Sequence, residues 1–77
     1  MTKLAVLEIF ARANGFLSPD RLRLGLQPRP DRRSVYSYLL RLKRQGLLEP
    51  GTNVRRGHLA YRLTQRGLAR LQYLRRK

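Results

Sequence analysis

The sequence predicts an α+β fold that is mostly helical, with four helices and a short β-hairpin. Three observations carry that prediction. The stretch DRRSVYSYLLRLKRQGLLE, from Asp31 to Glu49, repeats with helical period and then meets a glycine. At about 100° per residue, Val35, Leu39 and Leu42 share one side, with Tyr38 at its margin, and Arg33, Ser37, Arg41 and Arg44 share the other. Between His58 and Leu63 the pattern changes: Leu59, Tyr61 and Leu63 alternate with Ala60 and Arg62, the period of a half-buried strand. Helix-start chemistry stands at Thr2, Ser18-Pro19-Asp20, Asp31 and Thr64.

The elements follow in order. Thr2 N-caps a first helix that runs to about Ala13. Leu4, Val6, Leu7, Ile9, Phe10, Ala11 and Ala13 make it apolar over more than half its circumference, so it is expected to be buried on most sides. Leu7, Phe10 and Ala11 are assigned to the core; Val6, Ile9 and Ala13 are left as candidates for a subunit interface. Asn14-Gly15 is a turn, and Phe16-Leu17 has room for a two-residue strand. In the second helix Ser18 is the cap, Pro19 the first helical residue and Asp20 the first-turn acid. It is short, turns Leu22 inward and ends near Gly25. Pro28 and Pro30 disfavour helix across 26–30, and Asp31 opens the third helix, 31–45. Gly46 ends it in the left-handed conformation. Leu47-Leu48-Glu49 reads as a strand, Pro50-Gly51-Thr52-Asn53 as a turn, and His58 to Leu63 as the returning strand. Thr64 caps a last helix with Leu68, Leu71 and Leu74 as its apolar stripe and Tyr73 beside it. Arg75, Arg76 and Lys77 match the negative end of its dipole.

Composition narrows the function. The 77 residues make one domain, 1–77, too small to bury more than about 60% of its unfolded surface. It has no cysteine, so no disulfide or Cys-based zinc site can staple it. Eighteen Lys+Arg stand against four Asp+Glu, a net charge of +14. Folding gains nothing from such self-repulsion, which points to a polyanionic partner. Nucleic acid is the first choice and an acidic membrane surface its rival. Fifteen of the eighteen basic residues are arginine, which suits bidentate contacts to phosphate and guanine; a GC-rich genome would produce the same bias. No stretch is long and apolar enough to span a membrane, and the N-terminus lacks signal-peptide character. The expected location is the cytoplasm, in association with the nucleoid.

Three segments carry a family resemblance: Ser18-Pro19-Asp20-Arg21-Leu22, the run from Ser34 to Glu49, and Tyr61-Arg62-Leu63-Thr64-Gln65-Arg66-Gly67. Together they resemble the winged helix-turn-helix domain of prokaryotic transcription regulators. The last two look most like regulators of the phenolic-acid-response and multiple-drug-resistance types. The resemblance implies a three-helix core, a two- to three-stranded β-wing and a C-terminal helix. It implies double-stranded DNA as partner, with the third helix in the major groove and the 50–58 wing on the backbone or minor groove. Those families carry further helices that dimerise or bind an effector. The expectation here is a homodimer through the first helix, the fourth or both, with no small-molecule effector and no membrane.

Residue chemistry supplies the candidate contacts. Arg33, Ser37 and Arg41 are the base-edge candidates, since arginine can bridge O6 and N7 of guanine. Arg32, Ser34 and Tyr36 sit nearer the groove edges and suit phosphate, although Tyr36 could equally pack on the second helix. Arg44 is assigned to phosphate. Arg55 and Arg56, between Gly51 and Gly57, suit a minor groove. The plainer alternative is a solvated helix face and a surface loop. Tyr36, Tyr38, Tyr61 and Tyr73 would serve a single-strand binder as stacking platforms, but their spacing places Tyr38, Tyr61 and Tyr73 on or beside apolar stripes, mostly as core. His58 is the only histidine, and Glu8, Asp20, Asp31 and Glu49 are scattered. No catalytic pair, metal-ligand set or cofactor loop is expected, and the chain reads as a non-enzyme. Two other readings use the same charges: an architectural protein that binds DNA or RNA without base preference, and a winged-helix module for an acidic protein partner.

Overall fold

The computed structural model describes residues 1–51 and 59–76. Its order is α1 (Lys3–Ala13), α2 (Pro19–Leu24), α3 (Arg32–Arg44), β1 (Leu48–Pro50), β2 (Tyr61–Leu63) and α4 (Gln65–Arg76). This is an α+β arrangement, mostly helical, with a two-stranded antiparallel sheet.

Each helix start is a cap built from the expected residue. The Thr2 hydroxyl accepts from the Ala5 amide at 3.2 Å, the Ser18 hydroxyl from Arg21 at 3.2 Å, and the Asp31 carboxylate from Ser34 at 2.9 Å. These bonds satisfy amides that a helix N-terminus otherwise leaves unpaired. The end of α3 is a Schellman motif: the Leu47 amide donates to the Leu42 carbonyl and the Gly46 amide to that of Lys43, both at 3.0 Å. The motif needs a left-handed residue, and Gly46 supplies it at φ 80°. Asn14 is left-handed after α1, at φ 51°, and closes a simpler cap with one bond, its amide donating to the Phe10 carbonyl at 3.3 Å.

In the sheet Leu48 pairs with Leu63, Glu49 with Arg62 and Pro50 with Tyr61. On the other edge of β2, Leu17 bridges Tyr61, with paired amide–carbonyl bonds of 2.8 and 3.0 Å. The strand expected at 16–17 is therefore a single bridging residue. The returning strand is shorter than the expected 58–63 and begins at Tyr61. Leu59 lies outside it and is exposed, so the inward alternation covers Tyr61 and Leu63 alone. His58 lies outside the described residues.

The core gathers Val6, Leu7 and Phe10 from α1 with Leu22, Leu26, Val35, Leu39, Leu42, Leu47, Leu48, Tyr61 and Leu71. α1 is the central element, touching α2, α4 and β2. Part of its apolar circumference is thus met by its own chain; Leu4, Ile9 and Ala11 are half-buried and Ala13 is exposed. Val6, which the sequence left as an interface candidate, is wholly buried in the core. The segment 26–30 is non-helical, as its prolines require, and Leu26 within it is buried in the core. On α4 the packed face centres on Gly67, Leu71 and Leu74. Leu68 sits about 95° from that centre at helical spacing, which leaves it exposed although it completes the predicted stripe. Tyr73 falls on the far side and is half exposed, not core, with the Arg70 guanidinium 5.7 Å from its ring.

Two contacts fasten α4 against the end of α3. The Thr64 hydroxyl donates to the Gly46 carbonyl at 2.6 Å and accepts from the Gly67 amide at 3.0 Å. Gly67 is there because nothing larger fits: a Cβ would lie 2.2 Å from the Leu47 carbonyl oxygen.

Candidate nucleic-acid interface

α3 is held by one face and open on the other. Val35, Leu39 and Leu42 are fully buried, and Arg33, Ser37, Leu40, Arg41 and Arg44 are exposed. A thirteen-residue helix is about 20 Å long, and about 12 Å of rise separates Arg33 from Arg41. That interval spans between three and four base-pair steps of about 3.4 Å each. A helix about 10–12 Å across also matches a major groove about 12 Å wide.

The approach to α3 is fixed by α2 and the segment after it. Asp20 receives both ends of the Arg32 guanidinium, Nε to Oδ1 at 3.1 Å and Nη2 to Oδ2 at 3.2 Å. Arg23 Nε donates to the Pro30 carbonyl at 2.7 Å. One tie joins the first turns of the two helices, and the other draws the proline segment onto α2. The hydrogen bond to Asp20 raises the Arg32 guanidinium above its ordinary value, with a further contribution from Tyr36. At the cap, hydrogen bonds from the Ser34 hydroxyl and amide hold the Asp31 carboxyl below its ordinary value.

The acids of the chain are all in use. Asp20 faces Arg32, Glu49 pairs with Arg62 across the strands, Glu8 lies 3.8 Å from Arg12 and 3.6 Å from Arg75, and Asp31 caps α3. Among the described residues no acid pairs with Arg33, Arg41, Lys43 or Arg44. Neutralisation therefore falls on Arg12, Arg32, Arg62 and Arg75, and the outward face of α3 keeps its charge.

Set against the sequence-predicted contacts, Arg33, Ser37, Arg41 and Arg44 come together on one open face. Arg32 is beside that face but tied to Asp20, and Ser34 is engaged with Asp31. Tyr36 is partly exposed, and its neighbours are Arg32 and Tyr61. Arg55 and Arg56 lie outside the described residues. Sequence reasoning missed two participants. Leu40 is an exposed leucine inside the basic face, and its signal was being the one apolar residue there. The Asp20–Arg32 tie spans twelve residues and a proline segment, beyond the reach of local rules.

Among the described residues no group of three His, Cys, Asp or Glu side chains could hold a metal ion, and no helix is long and apolar enough to cross a membrane. No family model matches the sequence, and no curated protein matches it. The fold is similar to that of BpsR from Bordetella bronchiseptica, a protein whose DNA binding is regulated by 6-hydroxynicotinic acid. The TM-score is 0.74 at 22% identity, over 96% of this chain and 51% of that one. This chain thus spans about half the length of the BpsR chain, and at that identity the likeness shows a shared fold.

Proposed function

We propose that this chain is a winged helix-turn-helix DNA-binding domain, acting as a transcriptional regulator. Helix 31–45 enters the major groove, and segment 50–58 is the wing on the backbone or minor groove. The observation that carries the reading is the open face of α3: four adjacent polar or basic side chains with no acid paired to them among the described residues, on a helix anchored by three fully buried residues. The fold shared with a DNA-binding protein supports it. DNA binding is the property carried to this chain; the response to 6-hydroxynicotinic acid is BpsR's.

Arg33, Ser37 and Arg41 read base edges. Leu40, among them, meets a thymine methyl, the apolar feature of the major groove. Arg32, Ser34, Tyr36 and Arg44 serve the backbone, and Arg55 and Arg56 the wing contact. The partner is double-stranded DNA, engaged by a homodimer through α1, α4 or both, in the cytoplasm on the nucleoid. Selection of bound duplexes from a random pool tests this directly. A palindromic consensus is the expected result, because operator symmetry mirrors the two-fold axis of a dimer. A pool that stays random while binding remains tight would replace the regulator with an architectural protein. No binding to any duplex at low salt would end the reading.

A further inference from the structure

A second cationic surface lies beyond the end of α3. Lys3, Gln45, Arg66 and Arg70 line an open groove of about 570 Å³, floored by Leu47 and Ala69 and walled by Tyr73. Lys3 Nζ donates to Gln45 Oε1 at 3.3 Å, which ties the start of α1 to the end of α3. Arg66 stands against the turn that ends α3, its Cδ 3.4 Å from where a Cβ on Gly46 would be. Among the described residues no acid pairs with Lys3, Arg66 or Arg70.

The groove begins where α3 ends, at Gln45 and Gly46. Arg41 and Gln45 are four residues apart on one flank of α3, and Arg66 and Arg70 four apart on α4. Each step is about 6 Å of rise, and the two pairs meet at Gly46. The result is one basic track from Arg33 through Arg41 and past the helix end to Arg70. A track of cations interrupted by a neutral amide suits a chain of evenly spaced single negative charges. It does not suit one compact anion, because its cations are strung out along two helices.

We infer that the Lys3–Arg66–Arg70 groove binds the phosphodiester backbone of the same duplex that α3 engages, extending the footprint past the major groove. The inference rests on the proposed DNA binding but fails separately from it. Phosphate contacts carry no base information. Each one lost should lower the salt slope of log affinity by about 0.9.

The test compares wild type with Arg66→Gln/Arg70→Gln and with Arg70→Gln alone, on one duplex, across a salt series. Thermal unfolding monitors the fold, and the exposed positions make both variants tolerable. The double variant should show a slope shallower by about 1.8 and an unchanged base preference, and the single variant about half that change. A steep wild-type slope that both variants reproduce would overturn the groove and leave the function standing. Variants with altered base preference would also overturn it, by making these residues base readers. A wild type that binds no duplex would remove the function and the groove with it.

Discussion

At the scale of single residues, Arg41 and Gly67 make opposite kinds of claim. Arg41 is exposed on α3, without an acid paired to it among the described residues, so replacing it should leave folding alone. Arg41→Ala should relax base preference at one position by about 1–3 kcal/mol, the worth of a bidentate contact to guanine. Arg55→Ala should weaken every sequence alike. Measuring affinities for single-base variants of the selected site separates the two; equal losses across all bases for both proteins would cancel the assignment of Arg41. Gly67 concerns stability. An alanine in a helix is favoured over glycine by up to about 1 kcal/mol. Against that, the added Cβ would meet the Leu47 carbonyl oxygen at 2.2 Å and Leu63 Cδ1 at 2.9 Å. The first of these is backbone and cannot swing aside. Overpacking costs about 1–3 kcal/mol, so Gly67→Ala should destabilise on balance. In a domain of this size each kcal/mol lowers the melting temperature by about 4–8 °C. A variant melting above wild type would show that the turn at Leu47 gives way.

At the scale of elements, α3 depends on its two ends as much as on its apolar stripe. Asp31 starts it with an acceptor whose carboxyl is held down first by the Ser34 hydroxyl, then by the Ser34 amide. A depressed carboxyl contributes stability that is fully present above its unfolded value and lost as pH falls through the folded one. For Asp31 the loss begins near its ordinary 3.8 and proceeds downward. Asn caps about as well as Asp without titrating. Asp31→Asn should therefore match wild type near neutral pH and lose less stability on acidification below about pH 4. Denaturant unfolding at several pH values measures the difference, and a gap that stays constant with pH would refute the cap's role. The element scale also shows where local reading succeeds. Ser18, Asp31, Gly46 and Thr64 are legible because capping is decided within three or four residues of chain. Leu59 and Leu68, expected to face inward, are exposed, because burial depends on which neighbour arrives, and that neighbour is distant in sequence.

At the scale of the whole molecule, charge dominates. The longest dimension is 39 Å. The screening length falls from about 30 Å at 0.01 M salt to about 8 Å at 0.15 M. At low salt most of the cations therefore repel one another across the body. The four acids soften this locally, but exposed ion pairs are worth at most about 1 kcal/mol each. With a net +14 the repulsion outweighs them. The melting temperature should rise as sodium chloride increases over that range, while affinity for DNA falls. Calorimetry in a salt series checks the first trend; a flat or falling melting temperature would mean that the cations are already compensated within the fold.

The basic helix with one apolar stripe, its cap and its glycine stop was settled by the sequence alone, because helical period and capping are properties of neighbouring residues. So was the excess of positive charge. Tertiary structure alone decided where that charge is left uncompensated. The pairings of Asp20 with Arg32, Glu49 with Arg62 and Glu8 with Arg75 join residues far apart in the chain. Their placement clears the outward face of α3 of acids and runs its basic track on to Arg66 and Arg70. Such a track depends on α4 meeting the turn after α3, an adjacency that no window of sequence contains.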